Sequence, residues 1–190
     1  MDVRNIGLRG VTVADSKIGL VDGDQGILIY RGYLIQDLAE RATFEEVIHL
    51  LLVGCLPNRE QLASVKAQLM AALPLPDSTL AYLRSRSRTA QPMDVIQGAL
   101  TVLADEDPSL GSEKREDLVA QSYRLIARTA LVAAAWHHLR EGRDLPAVTL
   151  DGSMASVFLQ ALWGRPPSED ERKLMDTLLV LHAEHTFNAS

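Results

Sequence analysis

The chain has 190 residues, with 19 basic and 25 acidic side chains for a formal net charge of -6, and 47% of it is hydrophobic. That length suits one domain or a large part of a bigger one, and the apolar content excludes a disordered chain. The acidic balance argues against nucleic acid as a partner, since polyanions are bound largely by Lys and Arg displacing counterions. No run of about 18 apolar residues occurs, so no membrane partner is expected. The start, Met1-Asp-Val-Arg-Asn5, has no signal-peptide character, and the one cysteine, Cys55, can close no internal disulfide, so a cytoplasmic protein is expected.

Taken in chain order, the first thirty or so residues are β-like. Val11-Thr-Val13, Ile18-Gly-Leu-Val21 and Ile27-Leu-Ile-Tyr30 are short β-branched-rich runs. The last two flank a glycine-bearing turn, Asp22-Gly-Asp-Gln-Gly26. This predicts a small β-ribbon over residues 1–32 and helices over 33–190. Leu34, Ile35, Leu38 and Ala39 share one helix face. Thr43-Phe-Glu-Glu46 is a capping box that should open a helix through Val47, Leu50 and Leu51, ending at Gly54. Asn58 should cap a helix carrying Leu62, Val65, Leu69 and Met70, stopped before Pro74, with a shorter helix over 77–84.

Pro92 suits a first helical position, followed by Met93, Val95, Ile96, Leu100 and Leu103. The longest helix should run from about Arg115 to Leu139, its later part rich in alanine. A helix over about 153–163 should end at Gly164. The capping box Ser168-Glu-Asp-Glu171 should start a last helix that continues into the C-terminal residues. The fold class expected is mostly α, a multi-helical array with a small N-terminal ribbon.

On that last helix Leu174, Leu178, Leu181 and His185 fall in one stripe at about 100° per residue. His185 is then either a hydrogen-bonded core histidine or the floor of a site, and spacing alone favours the first. His182 and His185 are three residues apart, but Cys55 and His49 supply no further ligand spacing, so no metal is expected. His137-His138 sits near a helix C-terminus, where positive charge is favoured. Arg84, Arg86 and Arg88 could bind a phosphate, although a solvated connecting segment is the better account of alternating charges. Asp22-Gly-Asp-Gln-Gly26 lacks the later ligands of a calcium loop and reads as a tight turn. Phosphate-loop, dinucleotide and nucleophile-elbow glycine motifs are absent from the sequence.

Several stretches, taken in order, resemble the N-terminal half of the citrate synthase family. They are Gly7-Leu-Arg-Gly-Val11, Val21-Asp-Gly23, Ile29-Tyr-Arg-Gly-Tyr33, Asp37-Leu-Ala-Glu40, Thr43-Phe-Glu-Glu46, His49-Leu-Leu-Leu52, Pro92-Met-Asp94 and Leu181-His-Ala-Glu-His-Thr-Phe-Asn-Ala-Ser190. The resemblance implies a multi-helical citrate-synthase-like large domain over 1–190 and an acyltransferase that condenses acetyl-CoA with oxaloacetate to citrate and CoA. Relatives using propionyl-CoA give 2-methylcitrate. It implies that His185 is the catalytic histidine donating to the enolate oxygen, that Asn188 contacts substrate, that acetyl-CoA is a substrate and no cofactor is needed, and that the protein is a homodimer. The helices at 92–104 and 115–139 resemble those of the dimer contact, and Ala127, Ala130, Ala133, Ala134 and Ala135 would let a partner helix approach.

Three positions depart from the family's pattern. Gln91 precedes Pro-Met where a histidine is common, Met154 stands on the helix where many members have a histidine, and Thr186 replaces a frequent glutamate. The stretch ends within the last motif, without the family's catalytic aspartate, second histidine and carboxylate-binding arginines. The expectation is therefore a chain inactive alone, the N-terminal portion of such a synthase. The alternatives are a 2-methylcitrate synthase fragment and a non-catalytic helical partner or regulatory subunit.

Overall fold

The structure is a computed structural model, and it describes residues 16–185. The run Val11–Val13 and residue Asn188 lie outside them. Strands β1 (Gly19–Asp22) and β2 (Ile27–Tyr30) form the expected antiparallel ribbon, with Gly19 opposite Tyr30 and Asp22 opposite Ile27. The turn between them is local, not a cation loop: Asp22 Oδ1 accepts from the N–H of Asp24 at 3.1 Å and of Gln25 at 3.0 Å.

The ribbon has a third strand that the sequence reading assigned to the helical region, β3 (Tyr33–Leu34), paired antiparallel to β2. Arg31 (φ 49°) and Gly32 (φ 92°) both take positive φ, the requirement of a two-residue turn whose twist matches the flanking strands. Glycine does this freely, whereas Arg31 must be held. Its N–H donates to the Ile18 carbonyl at 2.8 Å and its Nη2 to the Leu51 carbonyl at 2.9 Å.

Eight helices follow among the described residues: α1 (Ile35–Arg41), α2 (Phe44–Val53), α3 (Arg59–Ala72), α4 (Asp77–Ser85), α5 (Pro92–Asp105), α6 (Arg115–Arg140), α7 (Met154–Trp163) and α8 (Glu169–Leu181). The caps read from sequence are present. Thr43, Asn58 and Ser168 each accept from the residue three further on, with Glu46, Gln61 and Glu171 reaching back. Gly54 and Gly164 end α2 and α7 in the left-handed conformation.

Helix α6 is the axis, packed by α3, α4, α5 and α7. One side of it, with Tyr123, Ala127 and Leu131, meets Val65 and Leu69 of α3 and Met154 and Val157 of α7. Another side, with Val132, Ala135 and Trp136, meets Leu83, Val95, Ala99 and Leu103. At Gly98 a Cβ would collide with the Tyr82 hydroxyl, so the glycine of α5 leaves room for the tip of the α4 tyrosine. A third cluster joins the ribbon to α1, α2 and α8 through Tyr30, Ile35, Leu38, Val47, Leu50 and Val180. Side chains also tie the elements. Arg124 forks onto Asp107 with two 2.8 Å bonds and holds its carboxyl down at about 2, and His138 Nε2 meets the Ala161 carbonyl at 2.9 Å.

Two buried carboxylates fasten α2, α7 and α8 end to end. Asp176 of α8 accepts the Phe44 N–H, in the first turn of α2, at 3.1 Å. Glu45 of α2 accepts the Met154 N–H, the first of α7, at 2.8 Å. Each oxygen satisfies a backbone donor that a helix start leaves unpaired, at the positive end of the helix dipole. Burial pushes both carboxyls above the ordinary carboxylate range, with these N–H bonds pulling the other way.

A raised native pKa means that the native state binds more protons than the unfolded chain, so these two groups take stability away as pH rises from about 4 through their raised values. Asp107 has the opposite sign. Its contribution is complete above about pH 4 and is lost as pH falls toward about 2. We expect Glu45→Ala to lower the unfolding free energy by about 1–3 kcal/mol, because it strands the Met154 N–H. Glu45→Gln, which keeps an acceptor without the charge, should cost less at pH 7 and make stability depend less on pH when pH 5 and pH 7 are compared. Urea unfolding at both pH values checks this, and equal losses for Ala and Gln would show that the oxygen caps nothing of consequence.

Candidate functional site

The site builds from the end of α8. The sequence reading carries this helix through His185, and the structure corrects that: α8 stops at Leu181, and His185 lies beyond it in irregular, exposed chain. The buried stripe is also not the one expected. Leu174, Leu178 and Leu181 are 64%, 40% and 39% exposed, whereas Asp176 and Val180 are buried. The reason is the tie to α2, which turns the Asp176 side of α8 inward and rotates the leucines outward.

Helix α8 stops because the side chain of Tyr30 intervenes. In a continuing helix the Leu181 carbonyl would accept the His185 N–H. Here the Tyr30 hydroxyl lies 3.1 Å from the Leu181 carbonyl and 3.2 Å from that of Glu184, and its one proton is shared between them. The same oxygen accepts the Glu184 N–H at 3.4 Å. The Tyr30 ring is fully buried, and burial pushes the phenol up, so it stays a neutral donor. His182 reinforces the stop, its Nδ1 meeting the Leu178 carbonyl at 2.8 Å. The Glu184 side chain crosses β1 at Gly19, where a Cβ would collide with its carboxylate. Residues 182–184 are thus pinned between the ribbon and the end of α8.

Beside this segment is an apolar cavity of about 300 Å³, walled by Ile48, Leu51 and Leu52 of α2, Ile126 of α6, Leu179, His182 and Ala183. Phe44, Ile126 and Leu179 also border a wider apolar groove of about 470 Å³ along α6 and α7, with Ala130, Ala133 and Phe158. The arrangement offers one imidazole, that of His182, at the rim of apolar space, which suits the recognition of a largely apolar ligand with a few polar atoms.

The other histidines are tied locally. His49 Nδ1 meets the Cys55 carbonyl at 2.8 Å, and His137 accepts from Arg143 at 3.5 Å. Met154 is largely buried, its backbone N–H held by the Glu45 carboxylate, and it lines the apolar groove along α6 and α7. Among the described residues no group of three His, Cys, Asp or Glu side chains is placed to hold a metal ion. Arg84, Arg86 and Arg88 are exposed, as a solvated segment should be, but they line a cavity of about 210 Å³ together with Arg143. Tyr30, which holds the end of α8, is the residue that spacing missed. Its signal was the Tyr-Arg-Gly-Tyr stretch, whose turn residues explain the hairpin and whose first tyrosine sets the site.

Comparison with known proteins places this geometry. The family model described as citrate synthase, C-terminal domain, matches residues 7–190. The chain belongs to the citrate synthase family. It is 37% identical over 184 residues to the citrate synthase of Deinococcus radiodurans, covering 97% of this chain and 49% of that protein. It is 35% identical over 185 residues to a 2-methylcitrate synthase of Shewanella oneidensis, covering 97% of this chain and 48% of that one. The solved citrate synthase of Thermoplasma acidophilum, a ternary complex with carboxymethyl coenzyme A and oxaloacetate, superimposes with a TM-score of 0.86 at 25% identity, over 95% of this chain and 47% of that chain. The chain therefore spans about half the length of the curated relatives it matches.

Removing the Tyr30 hydroxyl should release the segment this family fold holds in place. In Tyr30→Phe the backbone ¹⁵N order parameter of Glu184 should fall from about 0.85 to below about 0.6. Stability should drop by about 1–2 kcal/mol. An unchanged order parameter would show that packing, not the phenol, positions residues 182–184.

Proposed function

We propose that this chain is the N-terminal portion of an acyltransferase that condenses acetyl-CoA with oxaloacetate to give citrate and CoA. His185 is the catalytic residue proposed, with Asn188 as a substrate contact. The observation that carries the reading is the pinned end of α8. An oxyanion donor works only if it is aimed before charge develops, so that no reorganisation is needed at the moment of reaction. The two bonds from the Tyr30 hydroxyl to the Leu181 and Glu184 carbonyls hold the backbone up to the residue before His185, which supports that role.

In this reading acetyl-CoA is a substrate and no cofactor takes part. A base elsewhere in the family fold removes a methyl proton from the thioester. His185 donates to the thioester oxygen as the enolate forms, and the enolate carbon attacks the oxaloacetate carbonyl. Hydrolysis of the citryl thioester releases CoA. The relatives named 2-methylcitrate synthase, at nearly the same identity, favour propionyl-CoA as the second acyl donor to test. A cytoplasmic location belongs to the same proposal and is supported by the free, exposed Cys55, which suits a reducing compartment.

Thiol release from acetyl-CoA and propionyl-CoA, with oxaloacetate present, tests the function. The 190-residue chain alone should stay at background, because it spans about half of its relatives. In a protein carrying both halves of the family fold, His185→Ala should lower kcat by roughly 10²–10³-fold with KM little changed, since the bond strengthens as the enolate forms. Equal kcat for parent and variant removes His185 from the mechanism.

A homodimer through α5 and α6 is part of the proposal. Of the five alanines between positions 127 and 135 of α6, Ala127, Ala134 and Ala135 are fully buried within the chain and leave no face for a partner. Ala130 and Ala133 line the apolar groove, and Leu118 and Leu125 of α6 and Met93 of α5 are exposed, 72% in the case of Met93. Exposed apolar surface of this kind supports association. Sedimentation at micromolar concentration should give a dimer that Ala133→Glu converts to monomer. A parent already monomeric at 20.9 kDa contradicts the proposal.

A further inference from the structure

The three alternating arginines of the α4–α5 connection are not explained by the acyl transfer. Arg84, Arg86 and Arg88 converge with Arg143, from the loop after α6, on a cavity of about 210 Å³ backed by Trp136. We propose that this cavity binds a diphosphate group, either inorganic pyrophosphate or the diphosphate of a nucleotide.

The charge accounting favours an anion there. Arg86 and Arg88 have no carboxylate or hydrogen-bond partner among the described residues; Arg86 is instead held over the Tyr82 ring at 5.6 Å. Arg84 meets Asp144 at 3.6 Å, but Asp144 is 90% exposed, a contact that an incoming phosphate displaces at little cost. Only Arg143 is closely neutralised, by Glu141 at 2.5 Å. The carboxyl-terminal ends of α4 and α6 face the same region and offset part of the positive charge, which leaves a net cationic pocket on a chain of net charge -6.

The donors also have the right form and room. Guanidinium groups grip phosphate oxygens two at a time, which a single lysine cannot do. Trp136, in the back wall, has a buried indole N–H with no acceptor among the described residues. Arg88 lies across Gly142, its Nη2 3.2 Å from where a Cβ would stand, and Gly142 has φ +77°. Glycine at that position lets the guanidinium lie over the loop. The cavity, about 210 Å³, has room for a diphosphate and opens to solvent, where the rest of a nucleotide would project.

The test is calorimetric titration of the 190-residue chain with inorganic pyrophosphate and, separately, with ADP at low ionic strength. One-to-one binding is expected, weakened at least tenfold by Arg86→Ala/Arg88→Ala and weakened by raised salt. Gly142→Ala, which displaces Arg88 without removing a charge, should also weaken binding. Arg59→Ala, which removes an exposed arginine from the start of α3, should not. Circular dichroism confirms that each variant is folded. Equal affinity for the two ligands assigns the site to diphosphate alone, and tighter ADP binding assigns it to a nucleotide. No saturable binding of either at millimolar concentration, or losses no larger for Arg86→Ala/Arg88→Ala than for Arg59→Ala, overturns the proposal.

Discussion

A backbone N–H at the start of a buried helix must find an acceptor, and in this molecule carboxylates from neighbouring helices supply it twice. Asp176 of α8 takes the Phe44 N–H of α2, and Glu45, the next residue of α2, takes the Met154 N–H of α7. Desolvating two carboxylates is costly, and it is tolerated because each meets a donor that would otherwise be stranded at the positive end of a helix. The consequence is directional. Helix α2 cannot shift without unpairing both neighbours, so the starts of α2 and α7 and the middle of α8 form one fastened unit.

The rest of the site follows from that unit. With the Asp176 face of α8 turned inward, the leucines at 174, 178 and 181 turn outward and the helix runs on toward the ribbon. There Tyr30 takes over the Leu181 carbonyl, ends the helix and holds the Glu184 backbone from both sides. The ribbon reaches that point because Arg31 and Gly32 make a tight turn, with Arg31 anchored on the Leu51 carbonyl of α2. Helix α2 is therefore braced against the turn that presents Tyr30 as well as against α7 and α8. This chain of contacts holds the backbone rigid up to Glu184, the residue before His185.

Much of this architecture was legible in the residues. Thr43, Asn58 and Ser168 with their partners three positions on, and Gly54 and Gly164, mark helix ends by local chemistry that operates within a few residues. The end of α8 was not legible, because what stops it lies 151 residues away in sequence at Tyr30. The inward face of α8 was misread for a related reason. Periodicity ranks leucine above aspartate for burial, and only the partner Phe44 N–H makes Asp176 the buried residue. The later alanines of α6 show the same limit: the five from Ala127 to Ala135 divide between the core and an open groove according to which neighbours pack there.

The claim that α2 fastens its neighbours through Asp176 and Glu45 is tested most directly by native-state hydrogen exchange at two amides, Phe44 and Met154. Amides in the first turn of a helix ordinarily exchange through local fraying. If the carboxylates hold them, both should exchange only with the free energy of global unfolding, matching core amides such as that of Leu69. Exchange of either amide as fast as that of an uncapped first-turn residue would contradict the account.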